Sequence, residues 1–167
     1  GGVAWDLPPA WKEKVLAFIT RFEPLIHEFN DLISFNKIYT ERLANVAVVT
    51  AEEAIDFNLV GPNLRGSGVR YDIRRDEPYS VYPELDFDVP VRGMGPEGGD
   101  CLDRYLLRVE EVRQSLRIID QCLHQMPDGP VMAKLPRLLR PRPGRAFGAV
   151  EGPRGLYGTY AISDGTD

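Results

Sequence analysis

The sequence predicts an α+β chain that is mostly helical, and three observations carry that reading. Apolar residues recur at helical spacing over residues 8–33 and again over 100–126. The stretch between, residues 61–99, is rich in Gly and Pro. Near the end, two runs with β character flank Gly152-Pro153-Arg154-Gly155. With 167 residues and 43% hydrophobic content, the chain can build one domain with a core. Four successive parts are expected: a helical segment over 1–60, Gly/Pro/Arg-rich interface loops with short strands over 61–99, a long helix over 100–127, and a Pro/Arg linker with a β-hairpin over 128–167.

Each element has its own signals. Pro8 and Pro9 suit the start of a helix, because the first turn needs no backbone donor. Trp11, Val15, Phe18, Ile19, Phe22, Ile26, Phe29 and Ile33 then form its apolar face, and Lys12, Glu13 and Lys14 face outward. Pro24 inside this run should kink or split the helix, since it removes a donor and crowds the preceding turn. A second helix over about 35–44 follows. Val46 to Val49 is a β-branched run, read as a strand or an extended link. Thr50 and Glu53 have capping-box spacing and predict a short helix over 51–57, which ends before Gly61-Pro62. Within 61–99, short strands are expected around 81–88. A loop region this long in a compact protein is usually functional or interfacial.

The long helix is the clearest element. Asp100 is its N-cap, with Asp103 in the first turn. Leu102, Tyr105, Leu106, Val109, Val112, Leu116, Ile119, Leu123 and Met126 make one apolar stripe. Arg104, Arg108, Glu110, Glu111, Arg113 and Arg117 occupy the other faces, with Glu110 and Arg113 spaced to pair. Pro127, Gly129 and Pro130 stop it. Pro136, Pro141 and Pro143 predict an extended linker. Ala146–Glu151 and Leu156–Ser163 then form a hairpin across a four-residue turn.

Composition narrows the functional classes. The net charge is -5 and charged residues make up 27%, an ordinary balance that argues against a nucleic-acid partner. The one basic stretch, Lys134 to Arg145, reads either as a solvated loop or as a dock for an acidic partner. No apolar run reaches bilayer length. Cys101 and Cys122 lie too far apart on one helix to bridge, and no close Cys pair or His cluster suggests a metal or iron–sulfur site. His27 and His124 are isolated from any nucleophile, which disfavours hydrolytic catalysis. Arg outnumbers Lys sixteen to four, and a guanidinium fork suits buried or interfacial carboxylate pairing. Both ends read as cuts, from Gly1-Gly2-Val3 without an initiator Met to the turn residues Asp164-Gly165-Thr166-Asp167. The sequence is therefore read as an internal fragment.

Two segments are candidates for chemistry. Gly61-Pro62-Asn63-Leu64-Arg65-Gly66-Ser67-Gly68 allows close backbone approach, but it lacks the Lys-Ser/Thr ending of a phosphate loop. It reads as a structural turn or as a contact with a partner or cofactor. Tyr71-Asp72-Ile73-Arg74-Arg75-Asp76-Glu77-Pro78-Tyr79-Ser80-Val81-Tyr82 is dense in Arg, Asp and Tyr. That mixture suits either a solvated loop or a charged hydrogen-bonded network at a subunit seam.

These two segments, with Phe87-Asp88-Val89-Pro90, Gly99 through Glu111 and Arg113 through Ile119, resemble in order and spacing one family. It is the hydrogenase-like large subunit of bacterial NADH:quinone oxidoreductase (respiratory complex I). Gly1-Gly2-Val3 and the Ser163-Asp164-Gly165 hairpin end are similar to that family as well, so the resemblance covers nearly the whole chain. It implies a fold related to the large subunit of nickel–iron hydrogenases. It implies a place in the quinone-reducing module, where this subunit and an iron–sulfur partner enclose the quinone headgroup while NADH is oxidised elsewhere with FMN. It also implies a position in the peripheral arm at the cytoplasmic face of the inner membrane.

The family's quinone-pocket His and Tyr come from segments preceding Gly1. No catalytic residue, metal site or bound cofactor is therefore expected within these positions. Residues Gly129-Pro130-Val131 run almost directly into the Pro/Arg linker, where many members carry a helical insertion. That shorter form is similar to relatives with other electron donors. The alternatives are the large subunit of a membrane-bound nickel–iron hydrogenase, a deazaflavin-linked dehydrogenase relative, and a scaffold-only subunit. Arg65, Ser67, Asp72, Arg74, Asp100, Arg104, Arg108 and Glu110 are expected to form a buried or interfacial charged network that holds the loop against the iron–sulfur subunit. Separated from its neighbours, the chain is expected to expose apolar surface and self-associate.

Overall fold

The computed structural model describes residues 5–95, 98–132, 134 and 141–166. Gly1-Gly2-Val3 and residues 135–140 of the basic stretch, Pro136 among them, lie outside the described residues. The architecture is mostly helical, closed by one antiparallel hairpin. In order come α1 (Trp11–Phe29), a π-helical turn (Asn30–Ser34), α2 (Lys37–Leu43), α3 (Ala51–Asp56), α4 (Gly61–Arg65), α5 (Ile73–Asp76), a 3₁₀ turn (Tyr82–Glu84), α6 (Cys101–Gln125), β1 (Gly144–Gly152) and β2 (Gly155–Ser163).

Pro24 neither ends nor splits α1, which runs through it to Phe29. The irregularity falls one turn later, where Phe35 N–H donates to the Asn30 carbonyl at 3.0 Å and closes a π-helical turn. Side chains hold that turn. Ser34 Oγ donates to Asn30 Oδ1 at 2.6 Å and lies 2.9 Å from the Tyr105 hydroxyl of α6. Asn30 and Ser34 are both buried, so these bonds satisfy groups that water cannot reach.

The capping signals act as read. Thr50 Oγ1 accepts from Glu53 N–H at 3.2 Å, and Glu53 returns a carboxylate to Thr50 N–H at 2.9 Å. Asp100 accepts from Asp103 N–H at 2.8 Å and starts α6. Its second oxygen accepts from Asn45 N–H at 2.7 Å, so one carboxylate caps the helix and fastens the link after α2. That link, Val46 to Val49, is not a strand. Its backbone bonds instead to the start of α6, with Cys101 N–H donating to Val46 O and Val49 N–H to Gly99 O. Gly99 sits at φ +91°, and a Cβ there would lie 2.1 Å from the Val49 carbonyl oxygen.

One expectation for the middle is corrected. No strand occurs over 81–88, and the short helices α4 and α5 and the 3₁₀ turn punctuate the loops of 61–84. Leu85 and Phe87 do alternate inward as a strand would, at 4% and 3% exposure. No second strand lies beside them, however. Asp86 and Asp88 donate their N–H groups to the side-chain oxygens of Gln121 and Gln114 on α6, at 2.7 and 2.9 Å. A helix has no free backbone ladder to offer, so glutamines take its place and the segment stays extended without becoming a sheet.

The stripe on α6 is also incomplete as read. Leu107, absent from it, is fully buried, whereas Val112, Ile119 and Met126 are partly exposed. The helix is packed on more than one side, by α1, α2 and α4. A single apolar face therefore does not describe it. Glu110 pairs with Arg92, not with Arg113.

In the hairpin, Gly152 pairs directly with Gly155, so the turn has two residues, Pro153 and Arg154, between the strands. Leu156 and Glu151 point from its turn end toward the body, while Phe147, Tyr157, Tyr160 and Ile162 are exposed. The turn end docks tightly on α4. A Cβ added at Gly61, itself at φ +60°, would lie 2.2 Å from Gly155 Cα.

Candidate functional site

Arg65 is the centre of the buried charge. It closes α4, where Pro62 near the start and the left-handed Gly61 set a tight entry against the hairpin. Its side chain is 2% exposed. Nε and Nη2 donate to Glu111 Oε1 at 3.0 and 2.7 Å. Nη1 donates to the Tyr71 carbonyl and to Glu151 Oε1, both at 3.0 Å, and lies 3.4 Å from Asp72 Oδ2. One guanidinium thus joins α4, α6, the start of α5 and the turn end of the hairpin.

Asp72 is the N-cap of α5 and accepts from Arg74 N–H at 3.0 Å. Arg74 then folds back and clasps it with both ends of the fork, Nε to Oδ1 at 2.9 Å and Nη2 to Oδ2 at 2.6 Å. Burial acts to raise the Asp72 carboxyl, but the bonds and charge of Arg74, with the charge of Arg65, overcome it and hold the group below its ordinary value. The Arg74 guanidinium is pushed up by the same partnership, against desolvation. It lies 5.1 Å from the Phe87 ring centroid, and Arg75 covers that ring at 3.8 Å while donating to the Phe87 carbonyl. Glu151 N–H donates to the Tyr79 hydroxyl at 2.9 Å. Burial raises the Glu151 carboxyl, and Asp72 adds to this, while Arg65 opposes it.

Of the residues singled out in the sequence, Arg65, Asp72 and Arg74 share this cluster. The others do not. Asp100 caps α6. Ser67 donates to the Asn63 carbonyl at 3.2 Å. Arg104 donates to the carbonyls of Gly99 and Ala47, and Arg108 to the Arg104 carbonyl and Asn63 Oδ1. Glu110 faces Arg92. Arg104 and Arg108 thus make a second seam of guanidinium-to-carbonyl bonds along the first turns of α6, and Glu110 with Arg92 is a separate ion pair.

Glu111, Glu151 and Arg92 are not singled out by the sequence as network residues, and Tyr79 enters only as part of the segment 71–82. Glu111 has a signal there: it shares a helical face with Arg104, Leu107 and Arg108, the side turned toward α4. Glu151 has none, because its partners come from distant segments.

A polar cavity of about 240 Å³ adjoins the cluster, lined by Arg65, Arg74, Glu111, Gln114, Glu151 and others. An apolar groove of about 300 Å³ lies elsewhere, between α1 and α6, among Phe22, Leu25, Ile26, Phe29, Val109 and Val112. Among the described residues no group of His, Cys, Asp or Glu has the arrangement to hold a metal ion. Cys101 and Cys122 are free thiols. Thr50 and Thr166 donate their hydroxyls to the carboxylates of Glu53 and Asp164, which are local capping and turn contacts at the surface. What the cluster does is bind elements together.

The helical body with its terminal hairpin is shared with subunits of respiratory complexes. Residues 1–142 match the family described as respiratory-chain NADH dehydrogenase, 49 kDa subunit, and the chain belongs to that family. Over its full length it is 52% identical to a NADH-quinone oxidoreductase subunit of Anaeromyxobacter sp. (strain K). Over 99% of its length it is 51% identical to the corresponding NADH-quinone oxidoreductase subunit of Geobacillus thermodenitrificans (strain NG80-2). The chain spans 44% of the length of each of these relatives. Among solved structures, a chain of the membrane-bound sulfane sulfur reductase, an archaeal respiratory membrane complex, superposes with a TM-score of 0.89 at 37% identity. That match covers 99% of this chain and 45% of the other. Among the described residues no helix is long and apolar enough to cross a membrane.

Proposed function

We propose that this chain forms part of the quinone-reducing module of a respiratory NADH:quinone oxidoreductase. In that reading, electrons pass from NADH through FMN and iron–sulfur clusters on partner subunits to quinone, coupled to proton translocation. The chain lies in the peripheral arm at the cytoplasmic face of the inner membrane, against the iron–sulfur subunit. Its own residues supply packing and docking, and bond-making falls to groups outside it. The observation that carries this is the 52% identity, over the whole chain, to a NADH-quinone oxidoreductase subunit. The buried cluster supports it: a polar seam spanning four segments stiffens the loop region that would meet a partner.

The test is quinone reduction by the assembled complex carrying Arg65→Glu, in which a fourth negative charge replaces the central guanidinium. NADH:quinone activity should fall strongly, with loss of the iron–sulfur subunit from the purified complex. Unchanged activity would favour the scaffold-only reading. The structural likeness to a sulfane sulfur reductase chain favours a second reading, the same fold serving a complex with another electron acceptor or donor. Hydrogen or sulfur turnover by the purified complex, without quinone reduction, would select it.

A further inference from the structure

The buried cluster does not balance in charge. Arg65 and Arg74 contribute two guanidinium groups, and Asp72, Glu111 and Glu151 contribute three carboxylates. The side chains of Asp72 and Glu151 are 0% and 5% exposed, so water does little to absorb a surplus negative charge. A buried net charge is costly, and the cheapest relief is to neutralise one carboxylate. The three are not equivalent. Asp72 takes three bonds from Arg74, including both arms of the fork. Glu111 takes two from Arg65 and retains 19% exposure. Glu151 receives one side-chain bond, from Arg65, and borders the polar cavity.

We propose that Glu151 is a proton-binding site, its carboxyl taking one proton from water of the adjoining cavity so that the buried cluster is neutral. One oxygen still accepts from Arg65 Nη1, and the added O–H is directed to the cavity side. The groups around it come from every packed element: Arg65 from α4, Asp72 and Arg74 from the start of α5, Tyr71 and Tyr79 from the neighbouring loops, and Glu111, Gln114 and Ser115 from α6. Of these, Asp72 is the carboxylate that works against ionised Glu151, while Arg65 and Arg74 favour it; burial joins Asp72 and prevails. Because Glu151 closes β1 and bonds Arg65, its proton links the hairpin's attachment to the charge state of the body. The proton on Glu151 is independent of whether the parent complex reduces quinone.

Infrared spectroscopy of the full-length polypeptide that contains this chain tests it in a titration from neutral pH into acid. A protonated-carboxyl stretch, shifted in heavy water, should appear in the wild type at a pH above the ordinary glutamate range and be missing from Glu151→Gln. Asp72→Asn should abolish the same band while Glu151 is still in place, because removing another negative charge lets Glu151 ionise. A purely structural Glu151 would not respond in that way. Wild-type and Glu151→Gln spectra that coincide in the carboxyl region would overturn the proposal, as would a band that survives Asp72→Asn. Melting of Glu151→Gln gives an independent readout. Gln mimics the neutral acid, so the variant should melt no lower than wild type at any pH where the band is present. A variant markedly less stable than wild type within that pH range would show that an ionised Glu151 is needed and would sink the idea.

Discussion

Removing Arg65 strands three carboxylates at once, because Glu111, Glu151 and Asp72 all turn toward its guanidinium. Truncating one partner of a buried ion cluster leaves uncompensated charge. Arg65→Met should therefore lower stability by about 3–5 kcal/mol, as read by denaturant unfolding. Arg65→Lys should recover only part of it, since an ammonium cannot reach Glu111, Glu151 and the Tyr71 carbonyl together. Asp72 and Glu151 respond to pH in opposite senses. Asp72 is held below its ordinary value, so its stabilisation is complete above the unfolded carboxylate range and is lost as pH falls through the folded value. Glu151 is raised, so its contribution is complete below the unfolded range and is lost as pH rises through the folded value. Asp72→Asn should accordingly flatten the acid limb of a melting-temperature profile, and Glu151→Gln the limb on its neutral side. A profile changed by neither variant would mean that these carboxylates titrate alike in folded and unfolded chains.

Among the elements, α6 depends most on a single side chain. Asp100 satisfies an orphan donor of its own helix and the Asn45 N–H of the preceding link. Asp100→Ala should cost about 1–2 kcal/mol, the upper part of the range for a lost N-cap. Amide exchange should quicken at Asn45 as well as at Asp103; a change confined to Asp103 would show that the link holds without the carboxylate. The turn before α2 is organised differently. Its π geometry rests on Ser34, Asn30 and Tyr105. The long run of apolar residues that reads as one helix is thus broken by polar residues within it. Pro24 reads as the breaker because its missing donor is visible in the sequence. The π turn depends on a tyrosine that lies 71 positions from Ser34, and no local pattern announces that.

At the scale of the whole molecule, apolar surface is left uncovered. An apolar groove lies open between α1 and α6, Leu32, Phe35 and Ile38 are exposed, and the outer hairpin presents Phe147, Tyr160 and Ile162. Surface of this kind drives association when unpartnered. The chain expressed alone should form concentration-dependent oligomers by light scattering, and a monodisperse monomer across the accessible range would count against an interfacial role for these faces. Local structure was largely legible in the sequence. The capping box at Thr50, the N-cap at Asp100, the stop after Gln125 and the terminal hairpin all follow from interactions within a few residues. The segment over 81–88 was not legible, since its inward alternation is that of a strand and only the glutamines of α6 show that no partner strand exists. The candidate site was legible in part. Asp72 and Arg74 are two positions apart and Arg65 stands out as an arginine in an apolar, glycine-rich segment, whereas Glu111 and Glu151 reach the cluster across 46 and 86 positions. By itself the sequence determined the family, the helices α1, α2, α3 and α6, the caps at Thr50 and Asp100 and the hairpin, because those depend on neighbours along the chain. Tertiary structure alone decided which carboxylates surround Arg65 and how many, because burial and charge balance are set by segments that meet only when the chain has folded.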